Sequence, residues 1–465
     1  MKFTFENLGQ INKANLTLNK LTIISGDNNS GKTYLTYSIY FLLKNLVQYL
    51  YFSLKQKDNL KIIKLIKSFI PKLKKNGKVE IEKKEFTNAM KELLKDSYQR
   101  YKDEISDLFK VSENHFKKFE CLLEFDIDFN AKIVNEKKQS EIESTLKNKN
   151  IIIDFENNSS NALGTKDMVD GLKTLVRRIL VNGILNTFVV TAERIGIVLF
   201  RKELNARSRL IKDQLQKASI KNKKIPLELI YSLIKDYTAM YSATIHDNID
   251  YVSETFPNTK KRICKLDKNN HISNGIEKML KGYFKYDNDK NEMRFISKKR
   301  KNRFDIPLHF ASTSIRSLSI FLHYIKYNAK KDDLIIIDEP ESHLSLKNQI
   351  KFTRILAKCI NSGLRILITT HSDFILKEFN NLIMLHQLKD KSIKEDSHIF
   401  NTYDLTCALD KNVVNAYLVD NHVVKKCKIN EFGLDNKLVE KTINEINNNS
   451  YELENLIYIK KDVRS

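Results

Sequence analysis

The chain has 465 residues, of which 42% are hydrophobic, and its 80 lysines and arginines against 57 aspartates and glutamates give a net charge of +23. This length and apolar content exclude a disordered chain and predict two or three globular subdomains. The positive charge fits a polyanion-binding surface and equally fits a compositional bias, since lysine is abundant in almost every segment. Five widely spaced cysteines and the lack of a signal peptide exclude a disulfide-rich secreted protein and predict a cytoplasmic location.

The first fifty residues are typical of short strands that lead into a helix. Apolar runs separated by turn residues predict strands at Lys2–Glu6, Ala14–Leu18 and Leu21–Ser25. A helix is predicted over Thr33–Tyr51. Polar residues interrupt its apolar sequence, so a buried helix is favoured over a membrane span, and no membrane association is expected.

Between the third strand and this helix, Gly26–Thr33 has the pattern G-x-x-x-x-G-K-[ST] of a phosphate-binding loop. The two glycines allow the backbone N–H groups to point inward, Lys32 can reach the terminal phosphates, and the Thr33 hydroxyl can bind Mg²⁺. A nucleoside triphosphate with Mg²⁺ is therefore the predicted ligand. The predicted binding residues are Asn28, Asn29, Ser30, Gly31, Lys32 and Thr33.

The middle of the chain is predicted to be mainly helical, with a few strands. Strand-like runs occur at Leu122–Phe129, Asn150–Phe155 and Thr187–Thr191, between amphipathic stretches of helical period. The densest basic run, Ser297–Arg303, is predicted either to form the tip of a hairpin or to contact nucleic acid.

From about residue 310 the pattern alternates between helix and strand. Helices are predicted over 314–328 and 346–361, and strands over 334–338 and 364–369. A further strand is predicted at Leu382–His386.

Two of these strands end in residues suited to ATP hydrolysis. The apolar run from Leu334 is followed by Asp338, which can bind Mg²⁺ opposite Thr33, and by Glu339, which can polarise the attacking water. The strand from Leu364 is followed by His371, which can contact the γ-phosphate. Glu339 and His371 are therefore the predicted catalytic residues.

These motifs resemble those of ABC-type ATPases, in the branch of the SMC-like and RecF-like repair ATPases and the OLD-type defence ATPases. Gly26–Thr33 resembles Walker A, Leu334–Glu339 resembles Walker B, Ser342–Ser345 is similar to a D-loop, and His371 matches the switch histidine. The resemblance implies an α/β ATPase head that pairs with a second head across ATP.

In that family a signature segment contacts the ATP of the partner subunit, and Ala311–Leu318 occupies its place without the usual glycine. The resemblance implies that Ser312 and Ser314 bind the partner's nucleotide, through hydroxyls and the N-terminal end of a helix. The segment Val189–Gly196 is similar to a strand end of small defence ATPases and is expected to line the site.

About 300 residues separate Lys32 from Asp338, which predicts an ATPase head split by a large, mainly helical insertion. The predicted divisions are residues 1–52 and 301–465 for the head, and residues 53–300 for the insertion, with some strands returning to the head. The tail contains no Asp-x-Asp of a Toprim nuclease. It resembles the stand-alone ATPase subunits of Septu-like and PARIS-like systems, which work with a separately encoded nuclease or toxin.

The sequence therefore predicts a slow ATPase that binds ATP and Mg²⁺, forms a homodimer or higher homo-oligomer through its heads, and senses or gates a separate effector in prokaryotic anti-phage defence. One alternative is a DNA-repair or chromosome-maintenance ATPase that acts directly on DNA, so nucleic acid stays open as a partner. The other alternative is a scaffold that ATP stabilises, with negligible turnover.

Overall fold

The computed structural model of the chain describes residues 1–56, 60–76, 78–81, 83–124, 130–134, 150–154, 173, 184–204, 241–258, 264–267, 271–298, 303–388, 402–435 and 447–453. The helices are α1 (Lys32–Gln56), α2 (Lys61–Asn76), α3 (Lys83–Phe109), α4 (Arg194–Leu199), α5 (Ala243–Glu254), α6 (His271–Leu280), α7 (Thr313–Tyr327), α8 (Leu346–Asn361) and α9 (Asp373–Gln387). The strands are β1 (Lys2–Leu8), β2 (Ile11–Thr17), β3 (Leu21–Gly26), β4 (Lys78–Ile81), β5 (Glu120–Glu124), β6 (Asn130–Val134), β7 (Asn150–Asp154), β8 (Thr187–Val190), β9 (Gly282–Asp287), β10 (Glu292–Ser297), β11 (Asp305–Pro307), β12 (Leu334–Ile337), β13 (Arg365–Thr370), β14 (Val414–Asp420), β15 (Val423–Lys426), β16 (Ile429–Asn430) and β17 (Gly433–Leu434).

A nine-stranded mixed sheet forms the centre of the molecule, in the order β5-β1-β2-β15-β14-β3-β13-β12-β8. The five strands from β14 to β8 are parallel, whereas β5, β1 and β2 pair antiparallel. Smaller sheets join β11-β10-β9, β4-β6-β7 and β16-β17. Because β3, β13 and β12 are neighbours and run the same way, their carboxyl ends meet at one edge of the sheet.

Helical layers cover both faces of the sheet. Alternate side chains of its strands therefore pack into two different cores, one on each face. Leu334 and Ile336 of β12 pack into the core formed with α1, α2 and α3. Ile335 and Ile337 pack into the core formed with α4 to α9. All four side chains are buried, as expected for a central parallel strand that is apolar along its whole length.

Helix α1 extends from the phosphate-binding loop through the first of these cores. Its side chains are buried on most sides, including Leu35, Ile39, Leu42 and Leu46. A helix that is apolar nearly all round is stable only when other elements cover it, and here the sheet and α3 do so. Among the described helices, none combines the length and apolarity needed to cross a bilayer.

The α/β fold predicted from the sequence is confirmed, and the early strands are each found within a few residues of their predicted bounds. The hairpin predicted around the basic run is present, because β10 pairs antiparallel with β11. Residues 299–302 of that run and 205–240 of the middle region lie outside the described residues. The divisions at residues 52 and 300 stay predictions, although β5 and β8 from the middle region join the main sheet.

The strand predicted at Leu382–His386 was wrong, because these residues lie inside α9. Ser372 precedes this helix, and its hydroxyl accepts a hydrogen bond from the Ile375 N–H, which caps the first turn. Leu376, Phe379 and Ile383 then lie on one buried face at helical spacing. A short apolar run fits the strand period and the helix period alike, whereas a serine at the N-cap position indicates a helix.

Candidate functional site

The loop between β3 and α1 is shaped by two glycines in conformations that other residues rarely adopt. Gly26 has a φ of 150°, and a Cβ there would lie 2.6 Å from the Val419 carbonyl oxygen. Gly31 has a φ of 97°, and a Cβ there would lie 2.8 Å from Cδ1 of Ile11. Both positions therefore require glycine, which allows a loop tight enough for its backbone N–H groups to face a bound phosphate.

The tip of the loop is exposed. Asn28 and Asn29 face solvent, and Asn29 has a φ of 61° and accepts a hydrogen bond from the Gln10 side chain at 3.2 Å. Ser30 is half-buried, and its N–H donates to the Asp27 carbonyl at 3.3 Å. These predicted binding residues are therefore accessible at the surface of the loop.

The Lys32 ammonium is folded over its own loop. Nζ donates to the carbonyls of Gly26 at 2.9 Å and Asp27 at 2.6 Å, and the side chain is buried. Burial lowers the pKa of Lys32, and the negative charges of Glu339 and Asp338 oppose this effect. The cation therefore lies at the centre of the loop, surrounded by oxygen atoms that a bound phosphate would replace.

Thr33 and Asp338, which are 305 residues apart in sequence, are in direct contact. The Thr33 hydroxyl donates to Oδ2 of Asp338 at 3.1 Å, and the Thr369 hydroxyl donates to Oδ1. Burial raises the pKa of Asp338 to about 6, the hydrogen bonds from Thr369 and Thr33 lower it, and the charge of Glu339 raises it further. The structure thus brings together the two residues predicted to bind the metal.

These two groups fit Mg²⁺. A threonine hydroxyl and a carboxylate are hard oxygen ligands, and Mg²⁺ in such sites takes its remaining ligands from phosphates and water. Within the described part of the chain, no group of three or more histidine, cysteine or acidic side chains is arranged to hold a metal ion. A metal held at Thr33 and Asp338 would therefore depend on the nucleotide for its other ligands.

Glu339 lies immediately after β12 in a left-handed conformation, with a φ of 49°. Its N–H donates to the Thr369 hydroxyl at 3.0 Å, and its Oε2 accepts from the Ser342 hydroxyl at 3.0 Å. Positive φ at a non-glycine residue is uncommon and costs free energy, so the turn is held by its hydrogen bonds. The predicted catalytic carboxylate is therefore fixed in orientation next to Asp338.

His371 follows β13, and its nearest described polar partner is Glu341. The backbone N–H of His371 donates to Oε1 of Glu341 at 2.8 Å, and Nδ1 of the imidazole ring lies 3.2 Å from the same oxygen. The imidazole is 44% exposed, whereas the Glu341 side chain is 5% exposed. Sequence reasoning singled out His371 and did not assign a role to Glu341.

Ser312 and Ser314, the predicted signature residues, lie at the start of α7. Ser312 is exposed and immediately precedes the helix, and the Ser314 hydroxyl donates to the His343 carbonyl at 2.6 Å. This contact joins the signature-like segment to the D-loop-like segment. None of the hydrogen bonds found among the described residues joins Ser312 or Ser314 to the phosphate-binding loop of the same chain.

Arg194 is a buried cation that organises the turn after β12. Its guanidinium donates to the carbonyls of Thr191 at 3.1 Å, Asp338 at 3.0 Å and Glu339 at 2.8 Å. Burial lowers the pKa of Arg194, and the carboxylates of Asp338 and Glu341 raise it. The sequence indicated only that the segment around Arg194 lines the site; no local pattern points to Arg194 itself, because its partners are backbone carbonyls.

Comparison with family models gives a match over most of the chain. The family described as AAA ATPase domain matches residues 1–376. The chain belongs to this family. The P-loop ATPase predicted from the motifs is thereby confirmed, and ATP binding and hydrolysis are supported in general terms. Comparison with curated proteins gives no significant match.

Solved SMC head domains are similar to this chain at low identity. A SMC head bound to the C-terminal winged-helix domain of ScpA is 11% identical, with a TM-score of 0.32, and the alignment covers 91% of this chain and 95% of that one. An SMC head from Pyrococcus furiosus with an extended coiled coil, bound to the C-terminal domain of ScpA, is also 11% identical, with a TM-score of 0.29 and coverage of 96% and 98%. The SMC head of Thermotoga maritima is 11% identical, with a TM-score of 0.27 and coverage of 92% and 98%.

Proposed function

We propose that this AAA ATPase binds ATP with Mg²⁺ at the edge where β3, β12 and β13 end, and that Glu339 and His371 assist its hydrolysis. The observation that carries this proposal is the contact between the Thr33 hydroxyl and the Asp338 carboxylate, at 3.1 Å. It joins the loop that would hold the phosphates to the strand end that would hold the metal. Phosphoryl transfer needs little beyond this positioning and charge stabilisation.

In the proposed reaction each side chain has a separate task. Lys32 leaves the carbonyls of its own loop and pairs with the terminal phosphates, since phosphate oxygens carry more negative charge than carbonyls. Thr33 and Asp338 would hold Mg²⁺, which would supply positive charge against the phosphates. Glu339 orients and polarises the attacking water.

We also propose that two copies pair head-to-head across ATP. Three large apolar side chains are exposed next to the motifs of one face: Phe310 (75%) before the signature-like segment, Leu346 (52%) after the D-loop-like segment, and Phe374 (43%) after the switch histidine. The Ser314–His343 and Glu341–His371 contacts place these segments side by side. An exposed apolar patch beside polar groups is typical of an interaction surface.

The proposed cellular role is to sense a trigger or gate a separate effector in anti-phage defence, with slow ATP turnover. ATP would stabilise the closed dimer, and hydrolysis would reopen it and release or activate the effector. This role rests on the resemblance of the tail to stand-alone defence ATPases.

One observation favours direct action on DNA as a second candidate. Helix α2 contains no acidic residue, and its exposed face carries Lys61, Lys64, Lys67, Lys72 and Lys75. The apolar side of the same helix is buried in the core and is therefore not available to a membrane. A row of lysines without acids on its own helix suits the phosphates of a nucleic acid.

Two variants test the ATPase proposal. Lys32→Ala is expected to abolish binding of a fluorescent ATP analogue, and Glu339→Gln is expected to bind it, to hydrolyse ATP at least about 100-fold more slowly and to accumulate as a dimer in analytical ultracentrifugation. If Lys32→Ala binds and hydrolyses ATP as well as the wild type, the site is wrong. Tight ATP retention with no turnover in the wild type would instead support the scaffold alternative.

DNA binding separates the two proposed roles. A direct role on DNA predicts an affinity that ATP strengthens and that falls steeply with salt, with a slope reduced by about one unit per lysine replaced in α2. A salt-independent or undetectable affinity would remove this candidate and leave effector gating.

A further inference from the structure

The turn after β12 contains a second carboxylate, Glu341, whose partners differ from those of Glu339. Oε1 of Glu341 accepts from the Thr370 hydroxyl at 2.8 Å and from the His371 N–H at 2.8 Å. Nδ1 of the His371 ring lies 3.2 Å from the same oxygen. Glu339 accepts instead from Ser342. The two glutamates of this turn therefore serve different groups.

The Glu341 carboxylate is fixed by burial and by two donors of the neighbouring strand end. Its side chain is 5% exposed, and Oε2 is buried with no hydrogen-bond partner in the described part of the chain. A buried carboxylate with so few donors is costly to keep in a fold. The positive charges of Arg194 and Lys32 offset part of this cost, and the two donors fix where Oε1 lies.

We propose that Glu341 is the positioning residue for His371. A carboxylate beside one imidazole nitrogen selects the proton position and the ring orientation, as carboxylates do for histidines in metal sites. With an Nδ1–H turned to Glu341, the other nitrogen, Nε2, carries the lone pair and is left to accept a hydrogen bond from the attacking water. The expected effect of Glu341 on kcat rests on the proposed ATP hydrolysis. The orientation of the His371 ring does not, because it exists without nucleotide.

Histidine NMR tests the orientation directly, without any need for turnover. The chain has 10 histidines, so the ¹⁵N signals of His371 are assigned by their loss in His371→Ala. The wild type is expected to carry a proton on Nδ1 of His371, and Glu341→Ala is expected to shift the ring toward the Nε2–H form. A wild-type ring already in the Nε2–H form, or one that Glu341→Ala leaves unchanged, would overturn the proposal.

Kinetics test whether the effect passes through His371. Glu341→Ala is expected to lower kcat by about tenfold or more while the dissociation constant for the ATP analogue changes by less than about twofold. In the His371→Ala background the same change is expected to cost less than about threefold, because the ring it orients is gone. Glu341→Gln, which keeps an oxygen acceptor, is expected to restore the ring orientation and most of the turnover.

A matched control separates positioning from a general loss of stability. Glu378 is equally buried, and its carboxylate accepts from Arg354, Asn381 and Tyr403. Glu378→Gln is expected to lower thermal stability without moving the His371 signals. Positioning would be refuted if the double variant lost kcat by the product of the two single losses, since Glu341 and His371 would then act independently. It would also be refuted if Glu378→Gln lost as much kcat as Glu341→Ala. A wild type without turnover would defeat the proposed function, and the NMR result would still decide the orientation.

Discussion

Replacing Arg194 by methionine tests how the turn after β12 is held. Methionine fills a similar volume but removes the donor to four carbonyl oxygens, now 2.8–3.4 Å from the guanidinium. It also removes the cation that faces the carboxylates of Asp338 and Glu341. The Thr191 and Glu339 carbonyls keep a backbone donor each, from Arg194 and Ser342. The loss of the buried cation opposite two carboxylates therefore dominates, and the expected loss is about 3–5 kcal/mol.

Hydrogen exchange measures this loss where it occurs. The amides of residues 334–345 exchange through opening of the turn and of the end of β12, and a loss of about 3 kcal/mol corresponds to about 150-fold faster exchange. Arg194→Lys keeps the charge but not the fork of donors, so an intermediate increase is expected. Arg303→Met, at an exposed arginine, is the matched control. Exchange in residues 334–345 that stays within about twofold of this control would refute the reasoning.

Two further predictions follow from the phosphate-binding loop and the metal site. Gly26→Ala is expected to weaken binding of the fluorescent ATP analogue by about tenfold or more. The new Cβ would lie 2.6 Å from the Val419 carbonyl oxygen and force the loop to shift. Unchanged affinity would contradict the loop geometry. The second prediction is that Asp338→Asn changes how the stability of the protein depends on pH. Burial raises the folded pKa of Asp338 to about 6, above its unfolded value of 3.8. The folded state therefore binds the proton more tightly, and this carboxyl costs the metal-free wild type up to about 3 kcal/mol as the pH rises from about 4 to about 6. In urea unfolding with EDTA, the free energy of unfolding of Asp338→Asn is expected to lack this fall between about pH 4 and about pH 6. Parallel pH profiles of that free energy for the variant and the wild type would refute the prediction.

The motifs were recognisable in the sequence because their chemistry depends on local spacing. The loop that holds phosphates needs its glycines and lysine within eight residues, and an apolar strand that ends in Asp338 and Glu339 is visible in a single run. His371 was found in the same way, as a histidine at the end of an apolar strand. What each of these residues contacts was not recognisable, since the contacts cross hundreds of positions.

The errors and omissions have physical causes. The sequence predicts a strand at Leu382–His386, where the structure has a helix, because a five-residue apolar run fits both the strand and the helix period. Glu341 was overlooked because its donors, Thr370 and the His371 N–H, belong to another strand. Arg194 was noticed only as part of a segment, since its partners are backbone carbonyls, which carry no sequence signal.

The sequence by itself predicted the ligand class and the candidate site residues, because a phosphate-binding loop and a strand-end carboxylate are encoded in short, contiguous patterns. Only the tertiary structure decided how they meet: the parallel order of β3, β13 and β12 places Thr33 beside Asp338. It also decided which of two glutamates in the turn faces the histidine and which buried arginine holds that turn. Such pairings depend on strand order and backbone direction, which no local pattern specifies.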